Sequence, residues 1–343
     1  MSEQPSVRFA VIGMDHPHIY SQTRLMLKAG ATLVSYFTSE PKLLDEFTKT
    51  FSQGKAARGA EEILEDPSIQ LIVSAGVPCE RAGLGVQAMR HGKDYMSDKP
   101  GFTTLDQLAE VRRVQAETGR IYSIDYGERM ENRATTRGLE LVLAGAIGEV
   151  VSTVGLGPHL RRFHTRPPWF FERVKFGGIL TDIGSHQCDQ FLCFTQATEV
   201  EIVSAQVANR HHPQYPEFED FGDMLFRTPT ATGYIRIDWF TPDGLDSWGD
   251  TRLTVVGTEG YIEVRKNIDI AGRPGSDHLF LVDRQGTRYI DCSQVELPFG
   301  RQLSYDILHR TETAMSQAHC YRASELALRA QAKAVRLGHL QPD

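Results

Sequence analysis

The chain has 343 residues, enough for two domains, and its 41% apolar and 24% charged residues are normal for a globular protein. A net charge of −7 with scattered basic residues does not favour binding to nucleic acid or to an anionic membrane. Five cysteines without a CxxC spacing argue against a disulfide framework and favour buried thiols in the cytoplasm. The short polar start and the hydropathy predict neither a signal peptide nor a membrane-spanning segment.

The first 128 residues predict strands that alternate with helices. Strands are expected at residues 7–13, 31–37, 55–57, 70–75, 93–97 and 120–126. Helices are expected at residues 17–28, 41–51, 60–64, 80–91 and 104–118. This alternation is typical of an α/β domain with a Rossmann-like, doubly wound parallel sheet, whose ligands bind beyond the carboxyl ends of the strands.

The turn after the first predicted strand reads Gly13-Met14-Asp15-His16-Pro17-His18. A full dinucleotide fingerprint needs glycine at positions 13, 15 and 18, and only Gly13 is present. Asp15 is expected to cap the next helix, whereas His16 and His18 would donate hydrogen bonds to a pyrophosphate at the helix N-terminus. Two histidines without a carboxylate partner are too few for a metal site, so no metal is predicted.

The end of the second predicted strand bears on the choice of nucleotide. Thr38 and Ser39 would tolerate the 2′-phosphate of NADP, whereas an acidic residue would bind the ribose hydroxyls of NAD. Because Glu40 follows directly, the sequence leaves both cofactors open.

Two later segments contain the candidate catalytic residues. The segment 177–189 opens with two glycines and predicts a helix on which Asp182, His186 and Asp189 share one face, at i, i+4 and i+7. Lys99, between Asp98 and Pro100, ends the fifth predicted strand and therefore lies at the ligand-binding edge of the sheet. A solvated helix face and a surface turn are the alternative interpretations.

In this order, Asp98-Lys99-Pro100 and Gly-Gly-x-Leu-x-Asp-x-Gly-x-His-x-x-Asp resemble the Gfo/Idh/MocA family (glucose–fructose oxidoreductase, inositol dehydrogenase, rhizopine catabolism). The resemblance covers nearly the whole chain. It implies a nicotinamide dinucleotide-binding domain over residues 1–128 and an α/β domain over residues 129–343. The second domain would have an open, mostly antiparallel sheet for substrate binding and oligomerisation. The catalytic set implied by position is Lys99, Asp182 and His186.

The resemblance also implies binding residues. Those for NAD or NADP are Gly13, Met14, Asp15, His16, Thr38, Ser39, Ala75, Gly76, Pro78, Asp98 and Lys99. Those for a sugar-like or polyol substrate are Lys99, Arg129, Trp169, Asp182 and His186. The chain departs from the family pattern in its glycine-poor turn, in Asp98 for glutamate, in Arg81 for a frequent histidine and in Gly127 for asparagine.

The second half predicts a helix at residues 130–146, a polar, aromatic loop at residues 159–175 and a helix at residues 324–337. Strands are expected at residues 149–155, 200–207, 221–227, 231–240, 252–256, 261–265, 278–282 and 287–291. A meandering sheet of this kind has an exposed face, and we expect self-association into a dimer or tetramer to cover it. Trp169 is expected either to stack on a sugar or to pack, and Arg161 and Arg162 are candidates for binding a carboxylate. A metal site at His211, His212, Glu217, Glu219 and Asp220 is not favoured.

The leading hypothesis is a dehydrogenase in which hydride passes between a secondary alcohol carbon and the nicotinamide. His186 would exchange the hydroxyl proton, Lys99 would stabilise the alkoxide, and Asp182 would orient the substrate or tune His186. One alternative is a glycoside-cleaving or epimerising enzyme without net redox change. Another is a ligand sensor that no longer binds the cofactor tightly, which the glycine-poor turn would favour.

Overall fold

The computed structural model describes residues 6–338 and divides the chain into two compact units. The first contains the described residues up to Asp125 together with Pro298–Arg322. The second contains Tyr126–Leu297 and the described residues from Ala323 onward. This division differs from a single boundary after residue 128, because a late segment of the chain returns to the first unit.

The first unit is built on a six-stranded parallel sheet. Its strands are β1 (Arg8–Ile12), β2 (Thr32–Phe37), β3 (Lys55–Ala56), β4 (Leu71–Ser74), β5 (Asp94–Asp98) and β6 (Tyr122–Asp125). The helices between them are α1 (His18–Lys28), α2 (Pro41–Thr50), α3 (Ala60–Leu64), α4 (Pro78–Arg90) and α5 (Leu105–Thr118). The strand order β3-β2-β1-β4-β5-β6 reverses between β1 and β4, which is the point where doubly wound sheets bind ligands. The predicted Rossmann-like fold is confirmed.

The second unit carries a nine-stranded mixed sheet and short helices. Its helices are α6 (Gly127–Met130), α7 (Arg133–Leu143), α8 (Arg173–Phe176), α9 (Ile179–Asp182) and α10 (Gly184–Thr195). Its main strands are β7 (Val150–Leu160), β8 (Glu201–Ala208), β9 (Phe221–Arg227), β10 (Thr232–Thr241), β11 (Arg252–Gly257), β12 (Gly260–Arg265), β13 (His278–Asp283) and β14 (Gly286–Ile290). The last elements of the described residues are α11 (Phe299–His309), α12 (Gln317–Lys333) and β15 (Val335–Arg336).

The order of the large sheet is β14-β13-β12-β11-β7-β10-β9-β8-β15. Only the pairs β7–β10 and β8–β15 are parallel, so the expectation of a mostly antiparallel sheet is confirmed. One face packs against α7, α9 and α10. On β7, Gly155 gives α10 the room it needs, because a Cβ atom there would lie 2.6 Å from Gln187 Oε1. The other face exposes aromatic side chains from three strands, namely Tyr234, Tyr261 and Tyr289.

Several element bounds differ from the sequence prediction. The helix expected at residues 130–146 is two helices, α6 and α7, because Asn132 caps the second by accepting the backbone N–H of Thr135. Strand β7 runs on to Leu160, so His159 lies on a strand and not in the following loop. Helix α12 begins at Gln317 instead of Ser324 and ends at Lys333, and α11 was not predicted at all. No helix among residues 6–338 is long and apolar enough to cross a bilayer.

Candidate active site

The carboxyl ends of β1, β2 and β4 are joined by the turn that begins at Gly13. Gly13 donates its backbone N–H to Phe37 O (3.0 Å), and its carbonyl accepts the N–H of Ala75 (3.2 Å). Its φ is +83°, and a Cβ atom there would lie only 3.0 Å from the Cα atom of Gly76. Glycine is therefore required, and the two facing glycines leave the backbone open to close approach by a ligand.

The remaining predicted cofactor residues surround this turn. The side chain of Met14 is buried in the core, and Ala75 and Gly76 follow β4 just before Pro78, the first residue of α4. Asp15 does not cap α1, because the N-cap residue is Pro17. The backbone N–H of His18, the first residue of the helix, is accepted by His16 Nδ1 (3.3 Å). Burial and the neighbouring Glu80 raise the pKa of Asp15.

The residues after β2 differ in exposure. Thr38 is buried and accepts a long hydrogen bond from the backbone N–H of Glu40 (3.4 Å), whereas Ser39 and Glu40 are exposed. Of the three side chains that could determine the choice between NAD and NADP, Ser39 and Glu40 are therefore accessible to a ligand and Thr38 is not.

Asp98 is the centre of a buried ionic cluster at the end of β5. Its carboxylate oxygens lie 2.9 Å from His18 Nδ1, 3.4 Å from His16 Nδ1 and 3.1 Å from a terminal nitrogen of Arg81. Burial raises the pKa of Asp98, but His18 and Arg81 outweigh this and hold it well below its usual range. Burial and His18 also hold the pKa of His16 well below its usual range. Asp98 is therefore an ionised anchor for the histidines of the first turn.

Arg81 connects this cluster to Lys99. Its guanidinium is 1% exposed and donates to the carbonyls of Gly76 (2.7 Å), Lys99 (2.5 Å) and Pro100 (3.2 Å). Lys99 directly follows β5, as the sequence predicted, and is buried; its peptide bond to Pro100 is cis. Arg81 is therefore a buried cation that fixes two backbone segments, the one that follows β4 and the one that follows β5.

His16, His18 and Asp98 each offer a possible metal ligand, and these atoms lie within 4.8 Å of one another. The structure thus supplies the carboxylate that was missing from the sequence argument. The ligand atoms are already engaged, however, because His16 Nδ1 accepts the backbone N–H of His18 (3.3 Å) and Arg81 sits against Asp98. A fixed guanidinium charge at 3.1 Å opposes the binding of a divalent cation. The cluster suits an anion beside it better than a metal within it.

In the second unit, α9 and α10 carry Asp182 and His186. Ile183 between them keeps helical dihedral angles, so the two side chains lie one turn apart, as predicted. His186 is 4% exposed, Asp182 is half-buried, and the ring of Tyr126 lies 6.2 Å from that of His186.

The start of α9 is held by protein groups. Glu219 Oε2 accepts the N–H of Ile179 (2.8 Å) and Gln331 Oε1 accepts that of Leu180 (2.9 Å), which satisfies two donors of the helix N-terminus. A Cβ atom at Gly178 would lie 2.4 Å from Gln331 Oε1. Glycine at position 178 therefore leaves the room that the side chain of Gln331 occupies.

A buried charge pair that the sequence analysis missed lies beside this helix. Glu128 Oε2 accepts hydrogen bonds from Lys266 Nζ (2.6 Å) and Gln187 Nε2 (2.7 Å). Burial raises the pKa of Glu128, but Lys266 and then His186 lower it to about 2. Glu128 therefore places a permanent negative charge in the electrostatic neighbourhood of His186. Glu128 and Lys266 are 138 positions apart, and no sequence motif connects them.

Arg129 is paired with Asp189, the third residue of the predicted face. Arg129 Nε and a terminal nitrogen donate to the two carboxylate oxygens at 2.6 and 2.7 Å. Burial lowers the pKa of Arg129, and Asp189 more than reverses this. This bidentate pair joins α6 to α10, so it fixes the position of the helix that carries His186.

The connection after β7 supplies a second cation that was missed. The Arg166 guanidinium lies 4.6 Å from the ring centre of Phe170 and 5.1 Å from that of Trp239. Burial lowers the pKa of Arg166, and nearby Asp182 opposes the shift. Trp169 follows in a short 3₁₀ turn, and its buried Nε1 has no hydrogen-bond partner. Such a donor costs about 1–3 kcal/mol until an acceptor, such as a substrate oxygen, reaches it.

The acidic residues near His211 serve the protein backbone. Glu217 accepts the N–H of Arg173 (2.9 Å), and Asp220 accepts those of Arg210 (2.7 Å) and His211 (2.8 Å). Glu219 holds the start of α9. Their carboxylates are therefore used as acceptors for backbone groups.

The chain is similar to several known proteins. The model of the GFO/IDH/MocA C-terminal domain matches residues 137–263. A candidate oxidoreductase from Erwinia carotovora atroseptica SCRI1043, known from a crystal structure, is 44% identical with a TM-score of 0.94. The match covers 97% of this chain and 100% of that one.

Two relatives from Bacillus subtilis (strain 168) are also similar. The scyllo-inositol 2-dehydrogenase (NAD(+)) is 24% identical over 298 residues, which is 85% of this chain and 84% of the relative. The scyllo-inositol 2-dehydrogenase (NADP(+)) is 26% identical over 151 residues, which is 43% of this chain and 41% of the relative.

Proposed function

Because the chain belongs to the Gfo/Idh/MocA family of oxidoreductases, we propose that it transfers hydride between NAD or NADP and a secondary hydroxyl or keto group of a sugar, polyol or related small molecule. The observation that carries the proposal is the buried Lys99 at the carboxyl end of β5, the edge at which doubly wound sheets bind ligands. The nicotinamide, when bound, supplies or accepts the hydride.

The first unit has the groups that such a cofactor needs. Gly13 and Gly76 face each other where any Cβ atom at Gly13 would intrude, so the backbone is open to a pyrophosphate. Helix α1 begins at His18, and its N-terminal dipole favours an anion there. Ser39 and the carboxylate of Glu40 are exposed where they can bind a ribose. These features compensate for the two missing glycines of the fingerprint.

Each residue of the proposed site has its own role in the reaction. His186 takes the hydroxyl proton during oxidation and returns it during reduction. The Lys99 ammonium hydrogen-bonds the reacting oxygen and stabilises its developing negative charge. Asp182 orients the substrate, and the Glu128 carboxylate, which is paired with Lys266, interacts electrostatically with His186. The unpartnered Nε1 of Trp169 is a donor for a substrate hydroxyl.

The experiment is a panel of inositols, aldoses, polyols and their keto forms, each assayed with NAD and with NADP by the absorbance of the reduced nicotinamide. The dehydrogenase activity of the two relatives makes scyllo-inositol the first compound to test. Stoichiometric formation of reduced nicotinamide supports the proposal. Glycoside cleavage or epimerisation without net reduction of the cofactor would contradict it, as would a chain that binds neither nucleotide.

The same proposal includes a homo-oligomer, a dimer or tetramer, in the cytoplasm. Tyr234, Tyr261 and Tyr289 expose aromatic surface on the open face of the large sheet, and such a face favours self-association. Buried Cys188, Cys292 and Cys320 suit a reducing compartment.

A further inference from the structure

A cavity lies in the second unit beside the connection that follows β7. Its volume is about 650 Å³, which is within the range of small-molecule sites in proteins. Its charged and titratable lining residues are Arg161, Arg162, His164, His211, His212 and Asp243. Two guanidinium groups oppose one carboxylate, so the lining is net positive even when every imidazole is neutral.

His212 forms a rigid part of this lining. Its Nδ1 lies 2.8 Å from Asp220 Oδ2, and because a carboxylate accepts, Nδ1 carries the proton. The ring of Phe163 packs edge-on against that of His212 at 4.7 Å. The buried Asp220 also accepts the backbone N–H groups of Arg210 and His211, so the imidazole is fixed before any ligand arrives.

Arg162 is held in an unusual backbone conformation at the same cavity. Its φ of 42° and ψ of 41° are left-handed, a region that few residues other than glycine adopt. Its carbonyl accepts both the N–H and the hydroxyl of Thr165, at 2.9 and 2.8 Å, which locks the turn. Strained conformations of this kind concentrate at ligand-binding sites.

We propose that this cavity binds a small organic anion. Arg161 and Arg162 hold its carboxylate or phosphate group, since the guanidinium fork matches both groups. Phe163, which also lines the cavity, offers an apolar surface to the ring or carbon skeleton of the ligand. None of the residues that line the cavity belongs to the proposed catalytic set of Lys99, Asp182 and His186.

Isothermal titration of the full chain tests the proposal with inorganic phosphate, D-glucose 6-phosphate, D-gluconate and neutral D-glucose at constant ionic strength. The double variant R161Q/R162Q should weaken the binding of at least one anion by about tenfold or more, because it removes both charged donors. Arg284→Gln removes an exposed charge from the turn after β13 and should leave the affinity unchanged. Comparing the three anions distinguishes a phosphate ligand from a carboxylate ligand.

Three results would overturn the proposal: no binding of any of the three anions to the wild type, equal affinity in a folded double variant, or equal binding of D-glucose. If the double variant unfolds, Asp243→Asn provides the second test, because Asp243 is exposed and its replacement is tolerable for the fold. Removing the one opposing carboxylate should tighten anion binding several-fold. An unchanged or weaker affinity in Asp243→Asn would reject the site.

Discussion

Replacing Lys266 by methionine tests the buried charge pair beside His186. Lys266 Nζ donates to Glu128 Oε2 at 2.6 Å, and both side chains are nearly inaccessible to water. The substitution keeps most of the aliphatic volume and leaves the Glu128 carboxylate buried without its cation. Breaking a buried pair in this way costs about 3–5 kcal/mol, because the remaining charge is uncompensated.

The pKa of Glu128 provides a second way to obtain the free energy that the charge pair contributes to stability. It falls from 4.5 to about 2 on folding, which at about 1.4 kcal/mol for each pKa unit corresponds to about 3 kcal/mol. Because the folded pKa is depressed, this stability is present above pH 4.5 and is lost as the pH falls toward 2. The loss in Lys266→Met should therefore be largest near neutral pH and shrink in acid.

The assay is equilibrium unfolding in urea, followed by tryptophan fluorescence. All three tryptophans, Trp169, Trp239 and Trp248, lie in the second unit, so the signal reports the unit that contains the pair. The double variant E128Q/K266M should recover much of the lost stability, since it leaves no unpaired charge. A cost below about 1 kcal/mol for Lys266→Met, or the same cost at every pH, would refute the reasoning.

Three further substitutions have defined outcomes. Gly13→Ala should weaken nucleotide binding in a fluorescence titration and lower stability by about 1 kcal/mol or more, since φ is +83° and the new Cβ meets Gly76; unchanged binding would remove the glycine pair from the cofactor site. Glu40→Ala should shift the ratio of kcat/KM toward NADP several-fold, because an exposed carboxylate repels a 2′-phosphate; a ratio that does not move would assign the discrimination elsewhere. Tyr261→Lys should reduce the molar mass measured by light scattering, and an unchanged mass would separate the open sheet face from self-association.

The parallel sheet was predictable because all of its strands except the exposed β3 are short, largely buried runs that end at a glycine or a polar turn. Strand β4, Leu71–Ser74, is buried at every position, so its sequence is continuously apolar up to the serine. In the second unit, Phe221–Arg227 matched the prediction in both bounds because its side chains alternate between the two faces. These patterns arise from the burial of side chains within one strand, so they can be recognised in a single segment of the sequence.

The partners of the site residues were not predictable, because they depend on contacts between distant segments. Asp98 was expected near the cofactor, yet nothing in its neighbourhood indicated that Arg81 and His18 would both bind it. Glu128 and Lys266 likewise pair across the fold without any shared motif. Gly178 and Gln331 are close neighbours in the fold, and nothing in the sequence connected these two positions.

The most direct test of the central claim is the turnover of Lys99→Met, measured by the absorbance of reduced nicotinamide on a substrate that the wild type oxidises. Loss of one donor to a developing oxyanion should lower kcat by about 100-fold or more. Nucleotide affinity, measured by fluorescence titration, should change little, because Arg81 and Asp98 still hold the turn. A Lys99→Met variant that folds, binds nucleotide and turns over at the wild-type rate would contradict the proposed mechanism.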